Sequence, residues 1–258
     1  SVMILSCGKQ VSGVSEADPW KKMELIVKSI PETHFANKTY NINDFGAVGD
    51  GKTMNTMAFE KAIKECAAKG GGRVLVPNGK YLTGPIHLES NVNLHLEDQA
   101  EILFSTNSKD YPLLHTSWEG TELMNHSPLI YAKNKTNVAI TGKGTLNGQA
   151  NNANWWYWCG SKRYGWEKGK PSQHDPLNRD NLVEMAEKGV PVAERIFGEG
   201  HYLRPNFIEF FECNTVLVKD ITVINAPFWI LHPLKSNNVI IDGVTVNSHG
   251  PNNDGCDP

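Results

Sequence analysis

The sequence predicts an all-β protein built as a right-handed parallel β-helix, and three observations predict it. Beyond residue 72 helical periodicity nearly vanishes, and short alternating runs follow one another between Gly, Pro, Ser, Asn and Asp. Several of these runs are related: Asn91-Val92-x-Leu94, Asn137-Val138-x-Ile140, Asn214-x-Val216-x-Val218 and Asn238-Val239-x-Ile241 each lead from Asn into a strand. The last two begin at 214 and 238, and a period of roughly 20–30 residues made of strands alone is the mark of a solenoid. Finally, the rival antiparallel sandwich needs hairpin turns, yet the strands around Asn78-Gly79 and Asn147-Gly148 do not mirror each other. In a solenoid each rung buries its inward side chains against the rungs on either side, so parallel strands stack without crossover helices.

The elements follow in order. Residues 1–17 read as the remnant of a lipoprotein signal and its tether, because Leu5-Ser6-Cys7-Gly8 closes a short apolar run and a polar spacer follows. Residues 18–39 hold one amphipathic helix, capped by Asp18 with Pro19 at its first position and ended by Pro31. The β-helix occupies 40–258. Residues 40–47 alternate as a strand does, Gly49-Asp50-Gly51 turns the chain, and Asn55 or Thr53 caps a helix over 56–69. Its apolar positions Phe59, Ala62, Ile63 and Cys66 suit a lid over the first rung, and Gly70-Gly71-Gly72 stops it. Strands are expected at 73–76, 81–83, 86–88, 92–96, 101–104, 138–140, 216–218, 221–223 and 239–241. An insertion at about 148–202 breaks the period, and its Trp155-Trp156-Tyr157-Trp158 run argues for an ordered, functional loop. No lid follows at the far end, so C-terminal rungs are expected to be missing.

Composition narrows the function. With 258 residues, 40% of them hydrophobic, the chain can bury one sizeable elongated core. A net charge of −3 gives no reason to expect a nucleic-acid partner. No apolar run approaches the ~20 residues of a spanning helix, so membrane contact is expected only through a lipid on Cys7. That lipid would make the protein exported, as a periplasmic or outer-membrane-anchored lipoprotein of a Gram-negative bacterium. The other cysteines, Cys66, Cys159, Cys213 and Cys256, fit no zinc spacing, and neither metal nor cofactor is expected.

The chemistry concentrates in Asn252-Asn253-Asp254-Gly255-Cys256-Asp257, directly after a strand. Glycoside hydrolysis needs carboxyl groups on both sides of the bond. In an unbroken strand positions i and i+3 face opposite ways, so only one of Asp254 and Asp257 is expected at the substrate. Asp254, with Asn252 on its own side, is the better candidate. An Asx-rich turn that caps its own backbone is the structural rival. One rung earlier, Trp229 and His232 are candidate pocket walls. Arg204 has the planar fork that pairs with a sugar carboxylate, or else braces the insertion against an acid such as Glu209. His249 is a donor candidate for a sugar hydroxyl. Trp155, Trp156 and Trp158 either stack on sugar rings or pin the insertion.

Residues 203–208 (Leu-Arg-Pro-Asn-Phe-Ile), 225–229 (Asn-Ala-Pro-Phe-Trp) and 248–258 resemble the polygalacturonases, glycoside hydrolase family 28. The opening at 42–52 is similar to that of pectin-active β-helix proteins more broadly. The resemblance implies a right-handed parallel β-helix that hydrolyses α-1,4-galacturonosidic bonds in pectin or oligogalacturonides with inversion and without metal. It puts the Asp of the family's Asn-Thr-Asp motif on Asp254, with Asn253 in place of Thr, as a carboxylate that activates water. Asn252, Asp257, His249, Trp229, His232 and Arg204 are expected to contact substrate. An Asp-Asp pair, a His-Gly and an Arg-x-Lys complete the family's site on rungs after the Asp254 string, and none of them follows that string here; His249-Gly250 precedes it. The chain alone is therefore expected to be inactive, and the complete protein a monomer. The rival reading is a non-hydrolytic β-helix, either a polysaccharide lyase or a glycan-binding solenoid.

Overall fold

The computed structural model describes residues 18–258; the tether expected over 1–17 and the lipid acceptor expected at Cys7 lie outside the described residues. The chain divides into two units, 1–31 and 32–258. In the first, helix α1 (Pro19–Ser29) begins as its sequence dictates: Asp18 accepts a hydrogen bond from the Trp20 amide at 3.2 Å and Pro19 holds the first turn.

The second unit is a right-handed parallel β-helix of six turns with three faces. Turn one contributes β1 (Thr39–Asn41) and β2 (Asp50–Met54), after which α2 (Thr56–Ala68) stands in for a third strand. Turn two is β3 (Gly72–Val76), β4 (Gly79–Thr83) and β5 (Ile86–His87). Turn three is β6 (Val92–Leu96), β7 (Ala100–Phe104), then a hairpin, β8 (Leu113–Trp118) and β9 (Thr121–His126), and β10 (Ile130–Lys133). Turn four is β11 (Thr136–Gly142), β12 (Thr145–Asn147), then an excursion over 148–207 carrying α3 (Arg179–Glu187), and β13 (Ile208–Phe211). Turn five is β14 (Asn214–Lys219), β15 (Thr222–Ile224) and β16 (Leu231–His232). Turn six adds β17 (Asn237–Asp242) and β18 (Thr245–Asn247).

The first face runs β1-β3-β6-β11-β14-β17, the second β2-β4-β7-β12-β15-β18, and the third β5-β10-β13-β16. The alternation seen in sequence becomes stacked columns. Val74, Leu94, Ile140 and Val218 register with one another on the first face, and Tyr81, Ile102, Leu146 and Val223 on the second, all buried. Ile86, Ile130, Ile208 and Leu231 form the third inward column. Each such burial contributes roughly 1.5–3 kcal/mol, so every added turn strengthens the one before it. Val216 pairs with Val239, as the repeat predicts.

Helix α2 buries Ala58, Phe59, Ala62, Ile63 and Cys66 at the first turns, which agrees with a lid. Asn55 stands at its cap but makes no capping bond; its side chain is engaged by Val48, Thr53 and Leu82. Gly71 ends the helix at φ +91°, where a Cβ would meet Asn91 O at 2.4 Å, so only glycine fits.

Three local expectations are corrected. The strand read over 40–47 stops at Asn41, whose side chain accepts from the Asn43 amide and turns the chain into a 3-10 segment, Ile42–Phe45. The hairpin β8–β9 is the antiparallel pair among the described residues, and it turns on Glu119-Gly120, at φ 45° and 81°. Glu is a poor resident of that left-handed position, so the usual Asn-Gly cue is missing. In the Asn series the third member is displaced by one residue: Asn91, Asn137 and Asn238 take φ 64°, 58° and 55°, and their counterpart in turn five is Thr215, at 58°, rather than Asn214.

Candidate active site

The Asp-bearing segment crosses from β18 to the third face and lies against turn five. Leu231 bridges Cys256, the Ile230 amide donates to Asp254 O at 3.2 Å, and the Asp257 amide donates to Leu231 O at 2.9 Å. Residues 229–232 therefore sit directly beneath the acids.

Asn253 fixes the approach to that contact. Its side-chain oxygen accepts from the Gly250 amide (2.8 Å) and from Ser248 Oγ (2.6 Å), while its nitrogen donates to Ala226 O (3.2 Å) and Phe228 O (3.1 Å). Ser248 Oγ accepts in turn from the Ala226 amide at 2.7 Å. Gly250 must lack a side chain, because a Cβ would stand 2.3 Å from Trp156 Nε1, which donates to Ala226 O at 2.8 Å. With Asn253 pinned inward to the neighbouring turn, Asp254 is left exposed to solvent.

Asp257 is partly buried where Asp254 is exposed. Partial burial first, and the Asp254 charge second, push the Asp257 carboxyl up to about 6. The two acids thus share one electrostatic environment. The chain bends at Gly255 and only Cys256 pairs as a strand, so the period of two on which opposite facing rests is interrupted between the two acids.

His232 is buried, and its Nδ1 lies 2.6 Å from the Asp257 carbonyl. A carbonyl only accepts, so Nδ1 carries the hydrogen. Burial lowers the His232 pKa, and the bond to Asp257 opposes that shift. Beneath it on the same outward column lie Glu209 and Tyr131. Glu209 is fully buried; Thr116 Oγ1 (2.6 Å) and Asn206 Nδ2 (2.7 Å) donate to its Oε2, and desolvation drives its pKa up to about 7. Its only signal in the sequence is an acid set inside the apolar run Phe207-Ile208-Glu209-Phe210-Phe211.

Trp229 is half-buried and presents its edge to His232, with centroids 5.2 Å apart. It stacks on Phe228 at 5.4 Å, which stacks on Trp118 of β8 at 5.5 Å. The wall of the site is thus continuous with the hairpin. Trp155 and Trp158 are buried against Tyr111 and Tyr202 and pin the excursion, while Trp156 packs on the Gly250 turn. His249 is exposed, with Nε2 3.0 Å from Asn247 Oδ1. Asn252 is exposed too, but its side-chain oxygen accepts from Arg204 at 2.9 Å.

Arg204 departs furthest from expectation. It is 0% exposed, and both terminal nitrogens donate to protein acceptors, so it offers no free fork to a sugar carboxylate. Nor does it pair with Glu209. No cluster of three or more His, Cys, Asp or Glu side chains suited to a metal ion occurs among the described residues.

Several of the known proteins this chain is similar to are polygalacturonases. The family Rhamnogalacturonase A/epimerase, pectate lyase-like, matches residues 39–95. A probable polygalacturonase of Vitis vinifera is 31% identical over 226 residues, which cover 83% of this chain and 38% of that protein. An exo-poly-alpha-D-galacturonosidase of Dickeya chrysanthemi is 27% identical over 232 residues, covering 84% and 37%. The crystal structure of a hyperthermoactive exopolygalacturonase from Thermotoga maritima is 48% identical with a TM-score of 0.89, covering 93% of this chain and 53% of that one. The chain thus spans about half or less of the length of these relatives.

Proposed function

The chain belongs to the polygalacturonases, glycoside hydrolase family 28, and on that premise we propose that it contributes Asp254 and Asp257 to a site that hydrolyses α-1,4-galacturonosidic bonds in pectin. The observation that carries this reading is the pairing of the segment bearing Asp254 and Asp257 against Ile230, Leu231 and His232 on the third face. In an inverting reaction one carboxylate activates a water while an acid on the far side of the bond protonates the leaving oxygen, the two standing about 6.5–9.5 Å apart. Asp254, exposed at the edge of the third face, is assigned to the water. Asp257, protonated below about pH 6, tunes the charge beside it and hydrogen-bonds a sugar hydroxyl. Neighbouring rungs are about 4.8 Å apart, so an acid one rung further and slightly offset falls within the required separation.

Attack from the chain end is the mode we favour. The hairpin β8–β9 and the excursion 148–207 both interrupt the path onto the third face, and their Trp118 and Trp156 close on the turns that carry the site. The names of the Thermotoga and Dickeya relatives point the same way. The test is product analysis of polygalacturonate treated with the full-length protein. Monogalacturonate released first as the β-anomer supports inverting exo-hydrolysis. A ladder of oligomers contradicts the exo mode, and unsaturated, ultraviolet-absorbing ends would identify a lyase instead.

A further inference from the structure

We propose that Arg204 is a positioning residue for the hydrolytic reaction: together with Gln173 it clamps the excursion to the acid-bearing segment and thereby holds Asp254 in its working orientation. This rests on the reading of Asp254 given above.

Arg204 lies just ahead of β13, and its fork reaches three separate parts of the chain. Nη1 donates to Pro227 O at 3.2 Å, in the loop leading to β16, and to Pro251 O at 2.7 Å in the acid-bearing segment. Nη2 donates to Asn252 Oδ1 at 2.9 Å in that same segment and to Gln173 Oε1 at 3.1 Å in the excursion. Two of the four acceptors thus lie within three residues of Asp254. The guanidinium also sits 4.7 Å from the centroid of the Phe228 ring, the middle member of the stack that ends in Trp229.

The choice of residue is informative. The four acceptors of Arg204 are neutral amide oxygens, so its charge is buried without a carboxylate bonded to it among the described residues, and Glu119 acts on it only through its field. Apolar packing generally fills such a space at no loss of stability, which makes a cation a poor choice for a brace alone. What an apolar residue cannot do is bind four acceptors in one plane and fix their relative directions. Asn252 takes a left-handed φ of 55°, a conformation that persists where the surroundings over-determine it. Arg204 acts on it from below, and Asn253 anchors the next residue to turn five. Between them the direction of Asp254 is set.

The experiment uses the full-length protein and polygalacturonate. Arg204→Lys keeps the charge but cannot span the four acceptors; kcat is expected to fall about 10- to 100-fold while KM changes less than about threefold. Amide exchange over 250–256 is expected to quicken, with β6 unchanged. In an Asp254→Asn background the same change is expected to cost less than about twofold, because Arg204 acts only through that residue. Should Arg204→Lys fail to fold, Asn252→Gly replaces it: glycine accepts the left-handed φ and removes one acceptor, and a kcat loss of about fivefold or more is expected. Gln173→Met releases the excursion alone and is expected to quicken exchange over 250–256 less than Arg204→Lys does. Wild-type kcat together with unchanged exchange over 250–256 in Arg204→Lys, or in Asn252→Gly if that variant is used, overturns the proposal. So does a loss that simply adds to that of Asp254→Asn. A wild-type protein that releases no sugar would defeat the hydrolytic reading separately, and exchange over 250–256 would still decide whether Arg204 holds the segment.

Discussion

Thr215 occupies a backbone position that its side chain disfavours. Its φ of 58° matches the Asn residues at the equivalent points of other turns, but a β-branched residue is strained there, by about 1–3 kcal/mol. Asn tolerates the left-handed region and, at position 137, bonds to Asn91 of the neighbouring turn at 3.0 Å. Thr215→Asn is therefore expected to raise the melting temperature by roughly 2–4 °C for each kcal/mol of strain relieved in a domain of this size. A melting temperature that falls would show that Thr215 is held by something other than this strain. The same position shows why residue roles were only partly legible. Asn214 looks like the repeat residue in sequence, and only the register of β14 on β11 shifts the role to its neighbour. Arg204 and Glu209 were harder still, since each is defined by partners distant in sequence: Pro251 and Asn252 for one, Thr116 for the other.

At the level of elements, Glu209 joins the hairpin to the β-helix: it lies on β13 and accepts from Thr116 of β8. Its pKa is raised from 4.5 to about 7 by burial, so across that range the folded protein holds a proton that the unfolded chain has released. Stability from this group therefore falls as pH rises from about 4.5 to 7, and above that window the cost is on the order of 3 kcal/mol. Glu209→Gln keeps an oxygen for Thr116 and Asn206 and carries no charge. It is expected to melt higher than wild type at about pH 8 and to lose that advantage at about pH 5. The buried histidines, with lowered pKa values, titrate in both proteins and cancel in the comparison. Equal melting at about pH 8 would mean that Glu209 ionises without penalty. Strands such as β6 and β11 were legible because two-residue alternation is a local property, and α2 because its apolar spacing is. The hairpin was not, because a Glu-Gly turn carries none of the usual composition cues and β8 and β9 pair across it without clean alternation.

On the scale of the whole molecule, six turns stack three inward columns, and the proposed site lies on the third face. The fold was legible because each turn repeats the same few apolar positions. Part of the site was legible as well: Asp254, Asp257, Trp229 and His232 come together as their spacing by one turn requires. What spacing left out was the bend at Gly255, which interrupts the strand between the two acids, and the bonds of Asn253 and Arg204 within the segment that carries them. Asp254 is the carboxylate on which the proposed hydrolysis depends, and the most direct measurement is the rate at which full-length Asp254→Asn releases reducing ends from polygalacturonate. Because Asp254 is exposed and makes no side-chain bond that holds the fold among the described residues, the variant is expected to keep its melting temperature and its KM. Its kcat is expected to fall by about 10²–10⁴-fold, the range for loss of a general acid or base. A folded Asp254→Asn protein with near-normal turnover would contradict the assignment of the site.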